Sequence, residues 1–246
     1  MTQTGKEEQV HIPYRYQELA HGERGTVLLA DFAGFSARRS LGAALAEGGE
    51  GWRVLRVDAV DDLTEAVDGP PPGLPELSAG YARVLRPEIT GPAVVVGYCT
   101  AASLAGRLAA ELALPLVLVQ PTWPSADTVA EEFAGIRKEF GADAAATDQD
   151  AGFRYGRAGV AEALAAMRTT LLCDFTAIAR EQELAEEDAE ILLEEMLPRC
   201  LAWLGFVRIT ADDPVRDAAT PTLDADDVPV SEVLRAVTAA ARNGGS

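Results

Sequence analysis

Histidine is nearly missing from this chain. Among 246 residues there are two, His11 and His21, and both precede the first run that reads as a buried strand. A hydrolytic triad sets an imidazole between nucleophile and acid, so any such chemistry here lacks its usual base, and both histidines are expected to be surface or packing residues. Lysine is as scarce, at Lys6 and Lys138 only. Lys and Arg together number 21 against 39 Asp and Glu, a formal charge of -18. That balance argues against nucleic acid and anionic membranes as partners, because both need basic surface. Most of the acidic charge is expected to be a solvated face. Cysteine occurs three times, at Cys99, Cys173 and Cys200, with no C-x-x-C or metal-ligand spacing. The odd count argues against a disulfide framework and fits a reducing cytoplasm. Nor is there a membrane-spanning run: the longest apolar region is broken by Arg107 and Glu111. Residues 1–16 lack the apolar core of a signal peptide. The expectation is a soluble, cytoplasmic protein with no metal and no cofactor.

What is present is apolar volume. With 48% hydrophobic residues over 246 positions, the chain can bury one α/β domain with an insertion, and is short for two domains of that kind. It reads as a single domain, 1–246.

The stretch 92–124 (PAVVVGYCTAASLAGRLAAELALPLVLVQPTWP) organises the rest. Residues 93–96 are an unbroken apolar, mostly β-branched run without alternation, as in a parallel strand covered on both faces. At Gly97-Tyr98-Cys99-Thr100-Ala101 the period changes. Ala102, Leu104, Ala105, Leu108, Ala109 and Leu112 then recur at helical spacing, with Arg107 and Glu111 on the other side. Residues 116–119 form a second buried strand. A helix joining two parallel strands is a right-handed crossover, and ligands gather at the carboxyl ends of such strands, where Cys99 lies. A sharp strand-to-helix turn needs small residues two before and two after its central residue, and Gly97 and Ala101 meet that need. On these residues alone Cys99 reads either as an exposed nucleophile or as one more buried thiol.

Taken in order, residues 10–16 offer an edge strand interrupted by Pro13. Residues 25–30 (GTVLLA) are a buried strand, 38–47 a helix and 52–57 another strand. Residues 61–75 read as a loop stopped by Pro70-Pro71-Pro72-Gly73, and 75–85 as an amphipathic helix closed by Pro87. This βα alternation predicts a mostly parallel sheet with helices on both faces. From Ser125 to about Trp203 only helical periods occur: 125–140 with Ser125 as cap, 160–180, and a long acidic helix over 184–204. A helical insertion of this kind, approximately 125–203, predicts a lid over the carboxyl edge of the sheet. Residues 205–210 (GFVRIT) read as a returning strand, 216–228 as loop and 230–242 as a closing helix.

Gly97-Tyr98-Cys99-Thr100-Ala101 resembles the G-x-S-x-G nucleophile elbow of α/β-hydrolases, with Cys for Ser and Ala for the last Gly. The longer run LPELSAGYARVLRPEITGPAVVVGYCTAASLAGRLAAEL resembles the thioesterases of polyketide and nonribosomal peptide assembly lines. Leu171-Leu172-Cys173-Asp174-Phe175-Thr176-Ala177 is similar to a motif of their lid helices. Arg208-Ile209-Thr210-Ala211-Asp212-Asp213-Pro214 resembles their next strand and acidic turn. The resemblance spans roughly 25–215 and implies an α/β-hydrolase-like fold. A Cys nucleophile resembles the subset of this family that includes Dieckmann cyclases. The resemblance then implies Cys99 as nucleophile and Asp127 as triad acid. It also implies an oxyanion hole from the backbone N–H of Thr100 and of the loop 33–35, with Gly34 and Phe35. Asp127 has a plainer reading as a first-turn carboxylate that complements a helix dipole. The chain departs from the family at the base: where a C-terminal loop would carry His, it reads Thr220-Pro221-Thr222-Leu223-Asp224-Ala225-Asp226-Asp227-Val228-Pro229. Asp212, Asp213, Asp224, Asp226 and Asp227 are nominal substitutes, although such acidic runs are usually solvated.

Two functions are expected on this basis. One is an enzyme that takes an acyl thioester from an acyl or peptidyl carrier protein or coenzyme A, forms an acyl-enzyme on Cys99 and releases it by transfer or cyclisation. The other is a catalytically degenerate thioesterase-like module that binds a carrier protein or acyl ligand. A thiol is partly ionised at neutral pH, and a helix N-terminus favours the thiolate, so Cys can act with less help than Ser.

Overall fold

The computed structural model describes residues 12–32, 40–49, 51–65, 71–141, 159–212, 220–223 and 228–244. Its centre is a sheet of six strands: β1 (Gln17–Ala20), β2 (Gly25–Ala30), β3 (Trp52–Val57), β4 (Ala93–Tyr98), β5 (Leu116–Val119) and β6 (Thr222–Leu223). Their order is β1-β3-β2-β4-β5-β6, with β1 antiparallel to β3 and the other neighbours parallel.

Strand side chains alternate between faces, and the two cores follow that alternation. Val27, Leu29, Val54, Val94, Val96, Val117 and Val119 pack with Leu41 and Leu45 of α1 (Leu41–Gly48) and with Val233 and Val237 of the C-terminal helix. Leu28, Ala30, Leu55, Val57 and Val95 face the other way. They meet α2 (Ala59–Glu65), α3 (Leu74–Leu85) and α4 (Ala102–Leu112). The fold is thus α/β with a mostly parallel sheet and helices on both faces, as expected from the sequence. The order reverses around β2: the chain steps from β2 to β3 on one side, then returns to β4 and β5 on the other. Ligand sites of open α/β sheets lie at such a reversal, beyond the carboxyl ends of the strands.

Between β5 and β6 the described part of the chain is mostly helical. It comprises α5 (Ala126–Glu139), α6 (Val160–Glu181), α7 (Glu186–Glu190), a π-helical turn (Ile191–Met196), and α8 (Leu197–Asp212); α9 (Val230–Asn243) closes the chain. Val129, Phe133, Met167, Leu171, Phe175, Leu192, Leu201 and Leu204 form a third core among these helices. Ser125 caps α5, its hydroxyl accepting from the Thr128 N–H at 3.3 Å. Arg137 of α5 and Asp174 of α6 pair at 2.7 Å.

Four readings are corrected. Residues 205–210 are helix, the second half of α8, and not a returning strand. That helix is wedged between two cores: Ala202, Phe206 and Ile209 join the sheet core, while Cys200, Leu201, Leu204 and Val207 join the third. Apolar on both sides, it shows no amphipathic period. The strand that returns to the sheet is Thr222–Leu223, parallel to β5. The long acidic helix over 184–204 is instead α7, the π-turn and the start of α8. Residues 59–65 are helical, where 61–75 read as loop; the Asp58 carboxylate accepts from the Val60 and Asp61 N–H groups at 3.2 and 3.3 Å and starts that helix. The edge strand is Gln17–Ala20 and not 10–16, of which 12–16 are described and are not strand. Among the described residues no helix is long and apolar enough to cross a membrane.

Candidate active site

Cys99 stands at the carboxyl end of β4 and opens a tight turn, Cys99–Ala101, that runs directly into α4. Its φ is +52°, a left-handed conformation that costs a non-glycine residue of order 1–3 kcal/mol and clusters at functional sites. The turn is sharp because strand and helix backbones nearly touch. A Cβ added to Gly97 would lie 2.6 Å from the Ala105 Cβ and 3.2 Å from the Ala102 Cα, so only glycine fits there. Ala101 is fully buried. These are the steric demands that the Gly97 and Ala101 spacing suggested, and they bring Cys99 out of the sheet edge as a half-buried, reduced thiol.

A second left-handed residue, Gln120 at φ +47°, ends the neighbouring strand β5. Its N–H donates to the Leu223 carbonyl at 2.7 Å. The chain bends there through Pro121 and brings Thr122 back over Cys99. The Thr122 N–H donates to the Cys99 carbonyl at 3.2 Å. Its Oγ1 lies 3.2 Å from the Cys99 Sγ and 3.1 Å from the Thr100 Oγ1. Thr100 Oγ1 is 3.8 Å from Sγ. The sulfur thus borders two hydroxyls, at the head of the turn that leads into α4.

The end of β2 is tied to the start of α1. The Asp31 carboxylate, buried at the end of β2, accepts from the Phe32 N–H at 2.8 Å and the Gly42 N–H at 2.9 Å. Burial pushes its carboxyl above the usual range against the pull of these bonds. Phe32, next along, meets Trp203 and Phe206 of α8 edge-on, with centroids 5.3 and 4.9 Å apart.

Of the other residues picked from the sequence, Asp127 lies exposed in the first turn of α5. Among the described residues no hydrogen bond joins it to Cys99. Gly34 and Phe35 lie outside the described residues, as do His11, Asp213, Asp224, Asp226 and Asp227; so does the side chain of Asp212. His21 follows β1, which runs antiparallel to β3, so it lies toward the amino ends of the parallel strands, at the far side of the sheet from Cys99. There it pairs with Glu18 at 3.0 Å. It is a surface residue, not a base. Cys200 is buried, which pushes its thiol up to about 11, while Cys173 is exposed. Thr122 and Asp31 carry the site's geometry and went unnoticed in the sequence. The signal available for Thr122 was its place in Gln120-Pro121-Thr122-Trp123-Pro124, a proline-framed bend straight after a buried strand.

No protein-family model matches the sequence, and no curated protein matches it. Among solved structures the chain is similar to the wild-type Vlm2 thioesterase domain, at 17% identity over 92% of this chain and 84% of that one, with a TM-score of 0.43. It is similar to the same domain with genetically encoded 2,3-diaminopropionic acid bound with a dodecadepsipeptide, at 17% identity over 91% and 82%, TM-score 0.44. A probable hydrolytic enzyme of Pseudomonas aeruginosa PAO1 is also similar, at 18% identity over 94% and 76%, TM-score 0.41.

Proposed function

We propose that this chain processes acyl thioesters through a covalent intermediate on Cys99, accepting the acyl group from a carrier protein or coenzyme A thioester and passing it to an acceptor with its own nucleophile. The observation that carries this reading is the left-handed Cys99 held at the strand-to-helix turn by the Gly97 contact, because a buried packing cysteine needs neither feature. The thiolate of Cys99 attacks the thioester carbonyl. A carbon–sulfur bond forms, and the carbonyl electron pair moves to oxygen. The oxyanion is held by the Thr100 N–H with an N–H from Gly34 or Phe35. Its collapse breaks the bond to the carrier sulfur, whose thiolate takes from solvent a proton equivalent to the one Cys99 gave up. The exchange needs no net base. Hydrolysis does, and His21 is remote from the sulfur, so transfer or cyclisation is favoured over release to water.

In this reading helices between residues 126 and 203 form the lid, and Asp127 is the acid of the site. Asp127→Asn separates that role from the plainer one. As an acid of the site it changes acylation of Cys99 about tenfold or more; as a dipole partner of α5 it changes only stability, by about 0.3–1 kcal/mol. The reading as a whole is tested by incubating the protein with acyl-carrier and acyl-coenzyme A thioesters and reading intact mass. An adduct that maps to Cys99 and is lost in Cys99→Ala is the expected result. Carrier binding with no adduct on Cys99 would favour the alternative, a thioesterase-like binding module, a second reading supported by the lack of an imidazole near the sulfur among the described residues.

A further inference from the structure

We infer that Thr122 is a positioning residue for Cys99, whose hydroxyl donates to the sulfur when it acts as a nucleophile, with no imidazole against it among the described residues. The inference rests on the thioester reading, in which the sulfur acts as a nucleophile. Three observations converge on Thr122. Its Oγ1 lies 3.2 Å from Sγ. Its N–H donates to the carbonyl of the same cysteine at 3.2 Å, so side chain and backbone grip one residue. Its Oγ1 is also 3.1 Å from the Thr100 Oγ1, which completes a chain.

The direction of that chain follows from inventory. A thiolate has no proton and can only accept, and Thr122 Oγ1, at 3.2 Å from the sulfur against 3.8 Å for Thr100 Oγ1, is the nearer donor. The Thr122 oxygen then accepts from Thr100 Oγ1–H, and the row runs Thr100 to Thr122 to sulfur, each bond polarising the next. The row explains the backbone: Gln120 at φ +47° is the bend that returns the chain to within reach of the sulfur. When Cys99 attacks, its negative charge leaves the sulfur for the carbonyl oxygen, and when an acceptor later displaces it, the thiolate re-forms against the same hydroxyl. Thr122 therefore assists Cys99 as attacking and as leaving group without gaining or losing a proton.

The test compares Thr122→Val with Thr122→Ser. Both keep the N–H that binds the Cys99 carbonyl, and only Ser keeps the hydroxyl. Readouts are the rate of Cys99 alkylation by iodoacetamide, followed by peptide mass, and the rate of adduct formation with a small acyl thioester. Thermal unfolding of both variants checks that the fold is intact. A hydrogen bond to a charged group shifts an equilibrium by about tenfold to a hundredfold, and the lower nucleophilicity of a less basic thiolate offsets part of that in rate, leaving about a fivefold to tenfold change. Thr122→Val is expected to slow both reactions by that factor, and Thr122→Ser to restore them to within about twofold. Equal rates in Thr122→Val and the unaltered protein would overturn the inference, as would equal slowing in both variants. Failure of the thioester reading looks different: the unaltered protein would form no adduct while alkylation still fell in Thr122→Val and returned in Thr122→Ser.

Discussion

Cys99 and its immediate neighbours combine features that a packing residue would not need. The left-handed φ of +52° lifts the side chain out of the pleat of β4, to where the Thr122 hydroxyl lies 3.2 Å from the sulfur. Cys200 has the opposite surroundings, an apolar interior that raises its thiol to about 11 and keeps it protonated. Cys173 is exposed on α6. Under iodoacetamide at neutral pH, Cys99 is therefore expected to label first, Cys173 at the pace of an ordinary surface thiol, and Cys200 only on unfolding. Peptide mapping checks the order, and Cys99 labelling no faster than Cys173 would remove the chemical support for the turn. This residue was legible in the sequence because the period changes there from strand to helix, and because Gly97 and Ala101 are the small residues such a turn requires. Thr122 was not legible: a single hydroxyl carries no periodicity, and its meeting with the sulfur depends on one left-handed bend.

Among the elements, the capping of α1 has a consequence in pH. Burial raises the Asp31 carboxyl above its ordinary value, so between that value and the raised one the folded state holds a proton that the unfolded chain has released. Stability from this group is present below the ordinary value and falls as pH rises through the raised one. Asp31→Asn abolishes that titration and also loses acceptor capacity toward the Phe32 and Gly42 N–H groups. The variant is expected to be less stable by about 1–3 kcal/mol, with the deficit narrowing as pH rises across that window; denaturant midpoints measured over acidic pH check both. Elements were legible where one face alone is apolar, as in α3 and α9, or where a strand is buried on both faces, as in β2 and β4. They were misread where burial is two-sided in a helix, as in α8. They were also misread where polar residues are held by specific bonds, as in α2, whose Asp62 accepts from the Tyr81 hydroxyl at 2.7 Å and the Arg15 N–H at 2.9 Å.

At the scale of the whole molecule, the sheet brings the carboxyl ends of β2, β4 and β5 together at the point where strand order reverses, and Asp31, Cys99 and Thr122 arrive there from three separate crossovers. The βα alternation made that arrangement readable in outline. The helical segment after β5 has its own core, yet Phe206 and Ile209 of α8 are shared with the sheet. A lid hinged on α8 should then show faster amide exchange in 126–139 and 160–181 than in 93–98, with 204–210 protected as the sheet is. Uniform protection across all four stretches would count against a lid. The most direct test of the central claim is a time course of intact mass after mixing with an acyl thioester, with and without an added thiol acceptor. The account predicts rapid rise of an acyl adduct on Cys99, persistence in water with deacylation slower than acylation by about 10²-fold or more, and prompt loss when the thiol is added. Rapid multiple-turnover hydrolysis by the isolated chain, with no adduct accumulating, would contradict it.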